Sequence, residues 1–304
     1  MPHLKTLVDQ GFRANLKTNQ EGLSALIWPE IFSGLPPTEH GVLGFIAYKL
    51  PLVQTEITPP PYRTGLEMLL KGLNQLHLIK ARPTSAQDRR VATLWELASE
   101  AGLKVGVMGG ATTYPVREVN GYIVSQNVYP RFKLMRENRA IEVSESSHDT
   151  FPSNLSTDPL HDFNLTVSLP ANRFQQLAKL TNADLDSLSK MSDRLSHDPL
   201  SFLKDDLCRD LFLLRAGRRL WNETKPDFSL YFLGGIDDIQ HFFWRYREPD
   251  KYFSVPENLI EKYGNTVDQY YQWVDLQLGE LTRDAKGEAN IILLSGYGHG
   301  PVFL

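Results

Sequence analysis

Apolar and polar residues alternate along the chain in patterns that predict helices and strands in turn. Apolar positions recur every three or four residues, as in amphipathic helices, over 2–12, 63–76, 90–101, 196–222 and 265–283. Short, continuously apolar runs predict buried strands at 104–109, 164–169, 228–233 and 290–295. Because strands covered on both faces are apolar throughout, the pattern predicts an α/β fold with a mostly parallel sheet flanked by helices on both faces.

Residues typical of helix ends support several of these boundaries. Pro2 begins the first predicted helix and Gly11 follows its end. Asp198 is placed to cap the long helix that has Pro199 at its first position. The length of the chain allows one large α/β domain or two small ones. A polar segment at about 131–160, rich in Ser, Asn, Asp and Pro, is predicted to be an insertion.

Composition and charge exclude several classes of function. The 304 residues carry a net charge of −4, with no basic cluster, so we expect neither nucleic acid nor an anionic membrane as a partner. No apolar run is long enough to span a bilayer, and the first residues lack the apolar core of a signal peptide. We therefore expect a cytoplasmic protein. A single cysteine, Cys208, excludes an intrachain disulfide.

Candidate chemistry begins where the strand predicted at 228–233 ends. Two glycines follow it, and then Asp237 and His241, which are four residues apart and would share one face of a helix. A carboxylate and an imidazole are suitable ligands for zinc or a similar divalent ion. Ligand sites of open α/β sheets also lie beyond the carboxyl ends of strands. An ordinary solvated helix start is the alternative interpretation of the same pair.

A second set of motifs lies near the start of the chain. Ser24 stands ten residues before Gly34, and the sequence Pro-Thr-Glu-His-Gly follows at 37–41. Further matching stretches begin at Trp95, Thr113 and Asn120, and the Asp237 and His241 pair comes after them. Together these residues resemble the alkaline phosphatase superfamily, with the type I phosphodiesterase/nucleotide pyrophosphatase branch as the nearest match.

The resemblance implies a metal-dependent hydrolase of phosphodiesters, phosphomonoesters or nucleotide pyrophosphates. By that resemblance Ser24 is the nucleophile and Asp237 and His241 are metal ligands. The implied cofactor is a divalent metal, zinc in the first place, with two ions in a complete site of the family. The implied partner is a small phosphorylated substrate or another anion. Ser24 also fits the N-cap of a helix over 28–32, and the two roles are compatible because a helix N-terminus favours a phosphate.

The chain also departs from the family pattern. Where the family has Ser-Asp-His-Gly, the residues here are Ser295, Gly296, Tyr297 and Gly298, so two ligand side chains are replaced. His299 stands two positions beyond the replaced pair, and Tyr297 and His299 are the candidate residues of this loop. Relative to the family, we also expect the first strand with its Asp ligand, and a downstream His ligand, to be missing. The resemblance implies a single alkaline phosphatase-like α/β domain over residues 1–304, and both its fold and its metal site are thus expected to be incomplete.

These departures leave a second hypothesis open beside the enzyme. The chain would then be a degenerate or truncated, non-catalytic member that binds an anionic ligand or a partner chain. An unpaired sheet edge also favours a homo-oligomer or a complementing chain as partner.

Overall fold

A computed structural model describes residues 1–17, 24–59, 65–128, 148–156, 199–285, 287 and 289–301. They form two compact units. The first contains the described residues of 1–17, 199–218 and 233–301, and the second contains those of 24–156 and 219–232. The single domain expected for the whole chain stays a prediction.

The described residues contain nine helices, five of them where apolar periodicity predicts a helix. They are α1 (Pro2–Gln10), α2 (Ser24–Ser33), α3 (Pro37–His40), α4 (Gly65–Gln75), α5 (Leu94–Glu100), α6 (Pro199–Thr224), α7 (Gly235–Arg247), α8 (Glu257–Tyr263) and α9 (Thr266–Asp284). Short 3-10 turns add Ala86–Asp88, Ser153–Ser156 and Pro249–Lys251. All five helices predicted from the sequence are confirmed, although the position of Asp198 lies outside the described residues.

The second unit contains the sheets. Its strands are β1 (Ile46–Lys49), β2 (Lys80–Pro83), β3 (Val105–Met108), β4 (Gly121–Val124), β5 (Thr150–Phe151) and β6 (Phe228–Tyr231). β1 and β2 form a separate antiparallel pair, whereas the larger sheet has the order β5-β4-β3-β6. β3 runs parallel to both β4 and β6, and β5 is antiparallel to β4. The chain therefore has the predicted α/β fold, a mostly parallel sheet flanked by helices.

The core of this unit lies where α2 and α5 pack on the sheet. Phe32 and Trp95 meet edge to face with ring centroids 5.1 Å apart, and they cover Val105, Val107 and Ile123. All four residues of β3 are buried, as its apolar sequence predicts for a central parallel strand. Replacing a buried aromatic such as Trp95 by alanine costs about 3–5 kcal/mol, so this contact fixes α2 and α5 on the sheet.

The first unit is helical. Phe243 of α7 packs against Tyr246 and against Tyr263 of α8. The carboxylate of Asp275 on α9 accepts hydrogen bonds from the backbone N–H groups of His3 (3.3 Å) and Leu4 (2.7 Å), so α9 supplies the cap of α1. No helix within the described ranges combines the length and the apolar character needed to cross a membrane.

The strand predicted at 290–295 is wrong. These residues form no strand, and the side chains of Ile291, Ile292, Leu293 and Leu294 are between 43% and 80% exposed. The run has the composition of a buried strand, but its backbone pairs with no strand among the residues that the structure covers. Composition alone does not provide the neighbouring edge that a strand requires. The candidate at 164–169 lies outside the described residues, as does most of the polar segment at 131–160, of which 148–156 contains β5 and one 3-10 turn.

Candidate active site

The start of α7 brings Asp237 and His241 together. Gly235 is the first residue of the helix, so Asp237 lies in its first turn, where the helix dipole favours a negative charge. One turn later His241 faces the same way, and its Nε2 atom lies 3.5 Å from Oδ1 of Asp237. The two residues that the sequence predicts to lie on one helix face are therefore neighbours in the structure.

His299 joins this pair from the loop at 296–301. Its ring meets the ring of His241 edge to face with centroids 4.7 Å apart, and it packs against Trp244 at 5.1 Å. Each of Asp237, His241 and His299 offers one ligand atom, and the three atoms lie within 4.8 Å of one another. We call these three residues the Asp-His-His cluster. The sequence analysis named His299 as a candidate residue of this loop, and the structure brings its ring to the pair.

The pKa values of the three cluster residues are shifted in different directions. Hydrogen bonding to Asp237 raises the pKa of His241, whereas burial and the neighbouring His241 lower the pKa of His299. Burial acts to raise the pKa of Asp237, but hydrogen bonds from His241 and Tyr297 outweigh it and hold that pKa below its ordinary value. Asp237 is therefore an ionised carboxylate next to a neutral His299.

The donor set fits a single divalent cation. Two imidazoles and one carboxylate are the protein ligands of many zinc and non-haem iron sites, which leave further positions for water or substrate. Nε2 of His299 is buried and has no hydrogen-bond partner in the part of the chain that the structure describes. A divalent cation held by the three residues would give this ring nitrogen a partner. The structure brings Tyr297 to the rim of the cluster, where its side chain hydrogen-bonds to Asp237.

Ser24 is the first residue of α2, in the second unit. One turn later Trp28 packs edge to face on Phe232, with centroids 4.8 Å apart, just beyond the end of β6. Farther along α2, Phe32 lies beside Gly110, just beyond the end of β3. α2 thus lies at the carboxyl edge of the parallel strands, where α/β proteins bind ligands. That Ser24 meets the Asp-His-His cluster at one site stays a prediction.

The residues that follow α2 have structural roles. His40 is fully buried, and its Nδ1 atom accepts a hydrogen bond from the backbone N–H of Val42 at 3.1 Å. Burial lowers the pKa of His40, so the ring is neutral. Gly41 has φ of +83°, and a Cβ there would come within 2.9 Å of the Asp88 carbonyl oxygen. The His-Gly pair therefore forms the turn after α3.

A buried charged network under the start of α7 was missed by the sequence analysis. It consists of Asp206, Arg209 and Asp210 on α6, Asp238 on α7 and Tyr270 on α9. We call it the Arg209 network. The signal was present in the sequence, since Asp206 and Asp210 each follow a buried leucine by three residues, Leu203 and Leu207, and so share the apolar face of α6.

The comparisons with known proteins give one family. Its description is type I phosphodiesterase / nucleotide pyrophosphatase, and it matches residues 1–303. No curated protein and no solved structure matches the chain. Since the match covers nearly every residue and includes Ser24 and the Asp-His-His cluster, this chain belongs to the type I phosphodiesterase/nucleotide pyrophosphatase family, within the alkaline phosphatase superfamily.

Proposed function

We propose that the chain is a metal-dependent hydrolase of phosphodiesters, phosphomonoesters or nucleotide pyrophosphates, with Ser24 as its nucleophile. The observation that supports this most is the Asp-His-His cluster, whose ligand atoms lie within 4.8 Å of one another. Zinc is the first choice of metal, because two histidines and one carboxylate commonly hold it with one position open. A cation bound there would offset the negative charge of a phosphate ester and favour an ionised hydroxyl near it.

Different residues of the chain have different roles in the proposed reaction. The first turn of α2 would present its backbone N–H groups to the phosphoryl oxygens. The Oγ atom of Ser24 attacks phosphorus and loses its proton, while the bond to the leaving oxygen breaks and that oxygen takes up a proton. Water then attacks the phosphoserine, releases the phosphoryl group and restores the serine hydroxyl. The hydrogen bond from Tyr297 adds to the larger effect of His241 in lowering the pKa of Asp237.

The decisive experiment measures hydrolysis of an aryl phosphodiester and an aryl phosphomonoester by the zinc-loaded protein. We expect slow but metal-dependent turnover, since Gly296 and Tyr297 replace two ligand side chains of the family pattern. Ser24→Ala is expected to lower kcat at least about 100-fold, because it removes the nucleophile. Ser33→Ala is the matched control, because the Ser33 hydroxyl at the other end of α2 donates to the Pro29 carbonyl at 2.7 Å. Equal rates for the two variants would contradict the nucleophile.

A non-catalytic, anion-binding member of the family is the second candidate, favoured by the same Gly296 and Tyr297 replacements. It predicts that zinc-loaded protein binds inorganic phosphate or vanadate but forms no phosphoserine. Mass spectrometry after an acid quench of the reaction distinguishes the two candidates. A phosphoryl group on Ser24 supports the enzyme, and its absence together with measurable vanadate binding supports the binding protein.

A further inference from the structure

A buried carboxylate holds the backbone at the start of α7. Oδ2 of Asp210 accepts a hydrogen bond from the N–H of Gly235 at 3.1 Å and another from the hydroxyl of Tyr270 at 2.9 Å. The side chains of Asp210 and Tyr270 are enclosed, at 0% and 1% exposure. Gly235 precedes Asp237 by two residues, so this contact joins α6 and α9 to the segment that carries a member of the Asp-His-His cluster.

Arg209 holds the same segment on the other side of Asp237. Its Nη1 atom lies 3.1 Å from Oδ2 of Asp238 and 3.1 Å from Oδ1 of Asp206, and its Nε atom donates to Oδ1 of Asp210 at 3.3 Å. Asp238 directly follows Asp237. Backbone and side-chain contacts of the Arg209 network therefore fix the positions on both sides of this ligand candidate.

The close approach of Asp210 and Tyr270 to the backbone requires a glycine at position 235. A Cβ at this position would overlap the Tyr270 hydroxyl and come within 2.6 Å of Oδ2 of Asp210. The glycine that ends the strand-to-helix turn thus allows a carboxylate to reach the backbone N–H at the beginning of α7.

The charges of the network are a poor way to stabilise a fold. Three carboxylates face one guanidinium, and burial raises the pKa of Asp210 despite Arg209 and Tyr270. Buried ion clusters are often no more stable than apolar side chains of the same volume. What apolar side chains would not provide is the directed hydrogen bond to Gly235.

We infer that Asp210 is a positioning residue of the metal centre. Through its hydrogen bond to Gly235 it sets the direction of Asp237, so that the carboxylate of Asp237 lies close to His241 and His299. This inference rests on the proposed function. Groups behind metal ligands typically change metal affinity about 10–100-fold when they are removed. Because Asp210 acts through the backbone, we expect an effect at the lower end of that range.

The test is the zinc dissociation constant, measured by competition with a chromophoric chelator well below the unfolding temperature of each variant. Asp210→Ala is expected to raise the dissociation constant about tenfold. Asp210→Asn, which keeps an oxygen acceptor for Gly235 and Tyr270, should raise it less. Tyr270→Phe, which leaves the carboxylate in place, should raise it about threefold by the same reasoning. Tyr246→Phe is the matched control, since Tyr246 is a buried tyrosine of α7 outside the network, and we expect no change.

The outcomes separate this inference from the proposed function. Tight zinc binding by the unaltered protein, together with unchanged dissociation constants in Asp210→Ala and Tyr270→Phe, would overturn the positioning role and leave the metal centre standing. Failure of the unaltered protein to bind zinc would overturn both. If Asp210→Ala does not fold, Tyr270→Phe and Asp210→Asn decide, because both keep the size of the side chain.

Discussion

The two units each contain a buried arginine with acidic partners, and the two arrangements differ in charge balance. In the second unit Arg89 donates to both carboxylate oxygens of Glu96, at 2.8 and 2.9 Å. Nη1 of Arg117 lies 3.6 Å from Oε1 of the same Glu96. Burial acts to raise the pKa of Glu96, but the hydrogen bonds and charge of Arg89 outweigh it and hold the pKa below its usual value. In the Arg209 network three carboxylates share one arginine, and burial raises the pKa of Asp210 although Arg209 and Tyr270 act to lower it.

The buried ion pair of the second unit stabilises the fold, whereas the Arg209 network of the first unit positions a backbone segment. The Arg89 pair is bidentate and balanced, so the folded state favours the charged form of Glu96. Burial disfavours the charged form of Asp210 more than Arg209 and Tyr270 favour it, yet that carboxylate accepts a hydrogen bond from the backbone of Gly235. Because a buried ion cluster often adds no net stability, the hydrogen bond to Gly235 is the feature that distinguishes this network.

The largest effect is expected from Arg209→Leu. It leaves three carboxylates without their shared cation, two of them fully buried, and should lower the free energy of unfolding by about 3–5 kcal/mol. Arg219→Leu on the same helix is the control, because Arg219 forms an exposed pair with Glu223 at 2.9 Å and should cost less than about 1 kcal/mol. Urea unfolding measures both. Similar losses for the two variants would remove the contrast.

Arg89→Leu is expected to cost less, about 2 kcal/mol, because only one carboxylate loses its partner and Arg117 stays nearby. The double variant with Glu96→Leu should recover most of that loss, since no unpaired charge remains. The corresponding double variant Arg209→Leu with Asp210→Asn should recover less, since Asp206 and Asp238 remain. Equal recovery in the two networks would show that charge balance does not distinguish them.

The smallest effect is a difference in pH dependence. Because the folded-state pKa of Glu96 is lowered, its contribution is present above the unfolded pKa of about 4.3 and is lost as pH falls through the folded pKa. Asp210 has the opposite sign: its contribution is present below about 3.9 and is lost as pH rises through its raised folded pKa. A tenfold difference in proton affinity between the folded and unfolded states corresponds to about 1.4 kcal/mol. Urea unfolding of Glu96→Gln and Asp210→Asn from acid to neutral pH should give slopes of opposite sign relative to the unaltered protein.

Much of the fold could be predicted from the sequence because apolar periodicity reports which faces are buried. β3 and β6 were found this way, as were the five helices. The run at 290–295 shows the limit, because it is as apolar as β3 but has no paired strand edge in the described chain. Strand formation depends on a neighbour that the local sequence does not specify.

The candidate site was predictable in part for a similar reason. Asp237 and His241 lie one helical turn apart, so their spacing is enough to bring them together. His299 reaches the same place through the loop after Gly296, whose path the sequence does not fix. The burial of Asp210 could be inferred from its place on the apolar face of α6, but its role could not, because only the tertiary contact with Gly235 shows that role.

The hydrogen bonds between the Asp275 carboxylate and the backbone at the start of α1 affect when α1 can fold during synthesis. The bond to Leu4 joins residues 271 positions apart, and none of the residues of α1 is buried. A nine-residue helix is marginal by itself, so α1 has little support until α9 has been synthesised. At about 5–20 residues per second the ribosome needs roughly 15–55 s for that interval. Stalled nascent chains should therefore show α1 open to protease until α9 has left the exit tunnel, and closed afterwards.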